Sequence, residues 1–171
     1  IGVAADTVGQ ALFARPTPRA ANTGKPHAGW AGPPRLVKPP GVYDGPIALH
    51  IEPPGFFSEV RYTLDGSVPG PEANLNDGPL HLAKPAVVRA RAFRDGHLPG
   101  PVVTASYLIG EPTRFPVGSL ATAPGNLFDP SDGIYTADNA HREWERPAFF
   151  EWFEPGGLRT IGQAAGQRIR G

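Results

Sequence analysis

Apolar and polar residues alternate with a period of two through the middle of the chain. Val60, Tyr62 and Leu64 fall on one face of an extended segment and Arg61 and Thr63 on the other, before Asp65-Gly66 supplies a turn. The pattern returns over 86–93, where Val88, Ala90 and Ala92 alternate with Val87, Arg89, Arg91 and Phe93 ahead of Asp95-Gly96. Two such strands with Asp-Gly turns predict an antiparallel β module. Ile47, Leu49 and Ile51 set against Ala48, His50 and Glu52 predict one half-buried strand over 47–52, and short strands are expected at 80–82 and 102–109.

About five to seven strands with turns roughly 10 residues apart predict an all-β fold, an immunoglobulin- or fibronectin-like β-sandwich over 35–110, with no helix. The flanks read differently. Residues 1–34 hold only short apolar patches and then RPTPRAANTGKPHAGWAGPP, where Pro biases its neighbours toward extended backbone, so an extended arm or linker is expected. Trp30 is the exception, since a large aromatic in such a segment is expected to dock somewhere. Over 111–171 a small β-rich segment is expected, with strands at 115–121 and 147–153, a loop through NLFDPSDGIY, and no closing structure after Glu154-Pro155-Gly156-Gly157.

Composition narrows the classes of function. Gly and Pro number 22 each and concentrate in 14–46, 66–79 and 110–133, between the alternating runs, which marks turns and connectors more than disorder. The net charge is 0, so no bulk field draws nucleic acid or an anionic membrane, and no nucleic-acid partner is expected. No apolar run approaches the roughly 20 residues that span a bilayer, so no transmembrane segment is expected. There is no Cys, which rules out disulfides and thiolate metal sites. A chain that begins at Ile and contains no Met reads as processed or trimmed, with a signal peptide removed.

Candidate sites divide between scaffold and contact surface. The Asp65 carboxylate is placed to accept from the Ser67 backbone N–H and to face Arg89 or Arg91 across the sheet. Arg89, Arg91 and Arg94 form a basic stripe, expected to be the solvated face of a half-buried sheet, or else a docking surface for an acidic partner or a glycan. Asp129, Asp132 and Asp138 faintly resemble a calcium loop but lack the alternating ligands and terminal Glu of an EF-hand, so a turn is the expectation. Trp144 and Trp152 cluster with Phe149, Phe150 and Phe153 among Glu143, Glu145, Glu151 and Glu154. Alternation puts Phe149, Glu151 and Phe153 on one face and Phe150, Trp152 and Glu154 on the other, so neither face is simply polar; packing or burial against a partner is expected, with stacking on sugar rings as the alternative. The contact residues expected for a protein partner or glycan are Trp30, Arg89, Arg91, Trp144, Phe150 and Trp152. The paired Glu residues do not by themselves make a glycosidase, His27, His50, His81, His97 and His141 lack metal-ligand spacing, and no Ser has a nucleophile setting. No catalytic residue, metal or cofactor is assigned.

Several strings have family counterparts. Pro40-Gly41-Val42-Tyr43, Tyr62-Thr63-Leu64-Asp65-Gly66-Ser67-Val68-Pro69, Gly78-Pro79-Leu80, Val88-Arg89-Ala90-Arg91-Ala92-Phe93 and Val103-Thr104-Ala105-Ser106-Tyr107 stand in the order of a known module. Through them residues 36–110 resemble the chitobiase/β-hexosaminidase C-terminal type of β-sandwich, an appendage of secreted bacterial proteins. Pro116-Val117-Gly118-Ser119-Leu120, Asn126-Leu127-Phe128-Asp129-Pro130, Gly133-Ile134-Tyr135, Trp144-Glu145-Arg146-Pro147 and Arg168-Ile169-Arg170-Gly171 resemble the opening of a CotH-type, kinase-like domain over 113–171. PTPRAANTG at 16–24 resembles the end of a lamin-tail domain. The resemblances imply an extracellular or periplasmic bacterial protein. The expected function is a non-catalytic structural or docking module that binds protein partners in a larger assembly. The alternatives are a carbohydrate-binding accessory module and a fragment of a CotH-like kinase without its catalytic region.

Overall fold

In the computed structural model the described residues are 2–3, 10–15, 17–22, 24–111, 114–136 and 138–170. The resemblance at 16–24 therefore falls partly outside them. Within them the chain is almost all β. In chain order it forms β1 (Gly2–Val3), β2 (Gln10–Ala11), β3 (Arg35–Leu36), β4 (Gly41–Tyr43), β5 (Ile47–Leu49), β6 (Ile51–Glu52) and β7 (Ser58–Thr63). Then come β8 (Asn74–Leu75), β9 (Leu80–Leu82), β10 (Ala86–Arg94), β11 (Val103–Ile109), β12 (Val117–Ala121), a short helix α1 (Pro124–Phe128), β13 (Arg146–Phe153) and β14 (Arg159–Gln167).

The main sheet has the order β4-β11-β10-β7-β8, antiparallel except where β4 runs parallel to β11. The antiparallel pairs β3–β6 and β5–β9 face it and complete a fibronectin-like β-sandwich. Alternation decides what goes inside. Val60 lies opposite Ala92 and Val88 opposite Ala105, and all four are buried with Leu49, Ile51, Leu82, Ala90, Tyr107 and Ile109 in one core. Tyr107 is the largest of these side chains, and its hydroxyl donates to the Lys38 carbonyl at 2.9 Å instead of lying unpaired.

Three expectations are corrected. Residues 47–52 are not one strand: the chain breaks at His50, whose carbonyl accepts from the Val37 N–H at 3.0 Å, so β5 pairs with β9 and β6 with β3. The loop expected through 126–135 begins inside α1, which Pro124 can open because the N–H that proline lacks would have no intrahelical acceptor in the first turn. A strand that the sequence reading did not expect lies over Arg159–Gln167. Gly156 and Gly157 take φ of 90° and 87° and turn the chain back into β14, which pairs with β13 from Arg146 to Phe153. The result is a second sheet, β12-β13-β14.

That second sheet lies on the first. Strand β11 is buried on both faces, with Ala105 and Tyr107 toward the core and Thr104 and Ser106 toward the C-terminal sheet. The arm also joins the body at its end. Leu12 and His27 exchange backbone hydrogen bonds of 3.1 and 2.8 Å, Ala28 donates to Gly96, and Ala31, only 2% exposed, belongs to the core. The backbone of 28–31 is thus laid along 96–98 and is not part of a free linker.

Candidate docking face

Strand β13 positions the most functional-looking side chains by plain alternation. Its inward face holds Glu151 and Phe153, both 0% exposed. Glu151 Oε2 accepts from Ser106 Oγ at 2.5 Å, Oε1 accepts from Arg159 Nη1 at 3.0 Å, and Ser106 Oγ meets Ser119 Oγ at 2.7 Å. This polar cluster ties the sandwich to the C-terminal sheet. Glu151 and Glu154 point to opposite faces, so they cannot flank one sugar as an acid–base pair must. Glu154 accepts instead from Trp152 Nε1 and Thr160 Oγ1, both at 3.2 Å.

The outward face carries Phe150 and Trp152, with ring centroids 6.4 Å apart and planes tilted by 36°. The register puts Leu120 and Gln163 beside Phe150, and Gly118 and Ile161 beside Trp152. Gly118 has no side chain to fill the floor, and both rings lie within ordinary contact of where its Cβ would be. Leu120 is 55% and Ile161 41% exposed, so this is an apolar sheet face open to solvent among the described residues. Sequence alone paired Phe150 with Trp152, but Leu120 and Ile161 needed the register.

The other expected contact residues are dispersed. The guanidinium groups of Arg142 and Arg146 both lie over the Trp144 ring, 4.7 and 4.9 Å from its centroid. Arg146 also donates to the Asp132 carbonyl at 2.8 Å, and buried Asn139 bonds the carbonyls of Ser131 and Gly133, so Trp144 helps hold a folded loop. Trp30 is held beside Leu98 by the backbone of its two neighbours. Ala31 N–H donates to the Leu98 carbonyl and Leu98 N–H to the Gly29 carbonyl, both at 2.8 Å, while the Trp30 ring stays 60% exposed.

Arg89 and Arg91 do not form a solvated stripe. Both are half-buried, and each bonds a backbone carbonyl at 2.7 Å, Arg89 to Gly66 and Arg91 to Gly100. Burial holds both guanidinium groups below their usual pKa. Asp65 Oδ1 accepts from Ser67 Oγ at 2.6 Å and Ser67 N–H at 2.9 Å, which together hold its carboxyl below the usual range. Asp129 likewise closes a turn onto the N–H groups of Ser131 and Asp132. Among the described residues no three acidic or His side chains converge as a metal would need.

Sequence reasoning also passed over Phe56 and Phe57, which are 90% and 91% exposed where the chain enters β7. Their only signal was two adjacent aromatics after Pro53-Pro54-Gly55. No helix among the described residues is long and apolar enough to cross a membrane. No curated protein and no solved structure matches the chain. One family model, described as Fn3 associated, matches residues 54–107, the stretch that runs from the loop before β7 to Tyr107 in β11 and supplies most of the sandwich core.

Proposed function

We propose that this chain is a non-catalytic docking module of an exported bacterial assembly, and that it binds a protein partner through the outer face of β12-β13-β14. The observation that carries this reading is the apolar row of Leu120, Phe150, Trp152 and Ile161 left open on a sheet whose other face is already used. Patches of contiguous apolar surface on soluble proteins usually mark interaction sites. The Fn3-associated match supports an accessory module, and the resemblance to secreted chitobiase-type sandwiches supports export.

Photo-cross-linking in the cells that export the protein tests the reading. Cross-linkers at Leu120 and Ile161 are expected to give one discrete protein adduct, and a cross-linker at exposed His81 none. Leu120→Glu should abolish the adduct formed from position 161 without lowering the melting temperature. No adduct from either position would end the proposal.

A further inference from the structure

A second surface lies at the opposite extreme of sheet geometry, where β7 begins and β10 ends. Phe56 and Phe57 there are the most exposed large apolar side chains described, and Phe57 holds φ of +63°, a left-handed backbone that a bulky residue rarely adopts. Such outliers persist where the surroundings enforce them, often at ligand clamps. Beside Phe57 runs an open groove of about 630 Å³, within the range of small-ligand sites. Phe57, Phe93 and Pro71 supply its apolar surfaces.

Its polar groups are mixed in kind. Glu59 and Asp95 offer carboxylate oxygens, Arg94 a guanidinium group, and His97 a ring nitrogen. Several are already fixed in place: Glu59 by Arg61 at 3.1 Å, Asp95 Oδ1 by the Gly96 N–H at 2.9 Å, and His97 Nδ1 by the Asp95 carbonyl at 3.0 Å. That leaves His97 Nε2, the second Asp95 oxygen and the Arg94 fork for a ligand. Glu59 and Asp95 are set against Arg61, Arg94 and the Arg91 guanidinium 5.9 Å from the Phe93 ring centroid, so the groove has no strong sign of charge and suits neither an anion nor a cation. Interleaved donors and acceptors beside aromatic rings match a neutral polyol with C–H-rich faces. The acids at the rim also disfavour an anionic bilayer.

We infer that this groove is a binding site for a neutral oligosaccharide, with Phe57 and Phe93 stacking on sugar rings and Arg94, Asp95 and His97 bonding hydroxyls. The site is independent of the docking face, so either can fail alone. The test is calorimetric titration of the full chain with cellohexaose, xylohexaose and chitohexaose. At least one is expected to bind saturably, with affinity lowered tenfold or more by Phe57→Gly and by Arg94→Ala, and unchanged by Leu120→Glu. Because glycine accepts the left-handed backbone, Phe57→Gly should leave the melting temperature equal or higher, which separates lost binding from lost folding. Exposed Arg94 gives a second variant should the first misfold. Silence with all three sugars at millimolar concentration overturns the inference, and so does binding that survives both variants. Partition onto phosphatidylcholine vesicles that Phe57→Gly abolishes, with the sugars silent, would overturn it in favour of a membrane wedge.

Discussion

Glu151 is a carboxylate with no exposure, and Arg159 is its counter-ion with a third of its side chain in water. The two should not respond alike to truncation. Removing Glu151 leaves Ser106 and Ser119 to bond each other and lets the Arg159 guanidinium turn outward, so Glu151→Ala should cost about 2 kcal/mol, the desolvation and hydrogen-bond scale. Removing Arg159 strands a buried charge with one hydroxyl donor, so Arg159→Ala should cost about 3–5 kcal/mol. Urea denaturation of the two variants checks the ranking, and a larger loss for Glu151→Ala would contradict it. Alternation put Glu151 on one face with Phe153 from sequence alone, but not which face is buried, and its partner Ser106 lies 45 residues away, a pairing that nothing local announces.

The Asp65-Gly66 turn shows at the scale of elements what local chemistry can and cannot reveal. Its Asx hydrogen bonds to Ser67 follow from residue type and spacing. Its tertiary use does not: Gly66 has φ of +85°, and a Cβ there would fall 2.2 Å from the Thr122 carbonyl oxygen, which belongs to the connection out of β12. Gly96 in the matching turn has φ of +69° with nothing within 4 Å. Gly96→Ala should therefore cost only the left-handed backbone term, about 1 kcal/mol, and Gly66→Ala about 2 kcal/mol or more because backbone must also move. Melting curves of the pair measure the difference, and equal losses would show that the Thr122 contact can relax. Strand β14 marks the same limit. Its sequence has two glycines, two glutamines and two alanines with Ile161 as the only large apolar residue, so it has no period to read and owes its strand form to β13. Strands β7, β10 and β11 were legible because each sets a clean apolar face against the core. The break at His50 was not, since both halves keep the same alternation.

Across the whole molecule, β11 serves two layers at once, and the contacts that join them include Ser106 with Glu151 and Ser119, Gly66 against Thr122, and Gly157 so close to Val42 that a Cβ would sit 2.7 Å from the Val42 Cβ. Layers packed on the two faces of one strand should unfold together. Tyr107, in that strand, gives a way to test this by pH. Burial, and then the neighbouring Tyr43 and Glu151, raise its phenol pKa well above the usual value. The folded state therefore binds the phenolic proton more tightly than the unfolded chain does. The resulting stabilisation is complete below the ordinary tyrosine value of about 10 and is lost as pH rises beyond it. Urea midpoints should accordingly hold steady approaching pH 10 and fall above it. Tyr107→Phe should flatten that fall while costing about 1 kcal/mol at neutral pH through the lost bond to the Lys38 carbonyl. Two of the three tryptophans, Trp144 and Trp152, report on the C-terminal region, whereas far-UV circular dichroism averages over every strand. If the layers form one cooperative unit, the two signals share a midpoint at every pH and shift together in Tyr107→Phe. A fluorescence midpoint that stays fixed while the dichroism midpoint falls with alkali would show that the C-terminal sheet unfolds independently of the strand it covers.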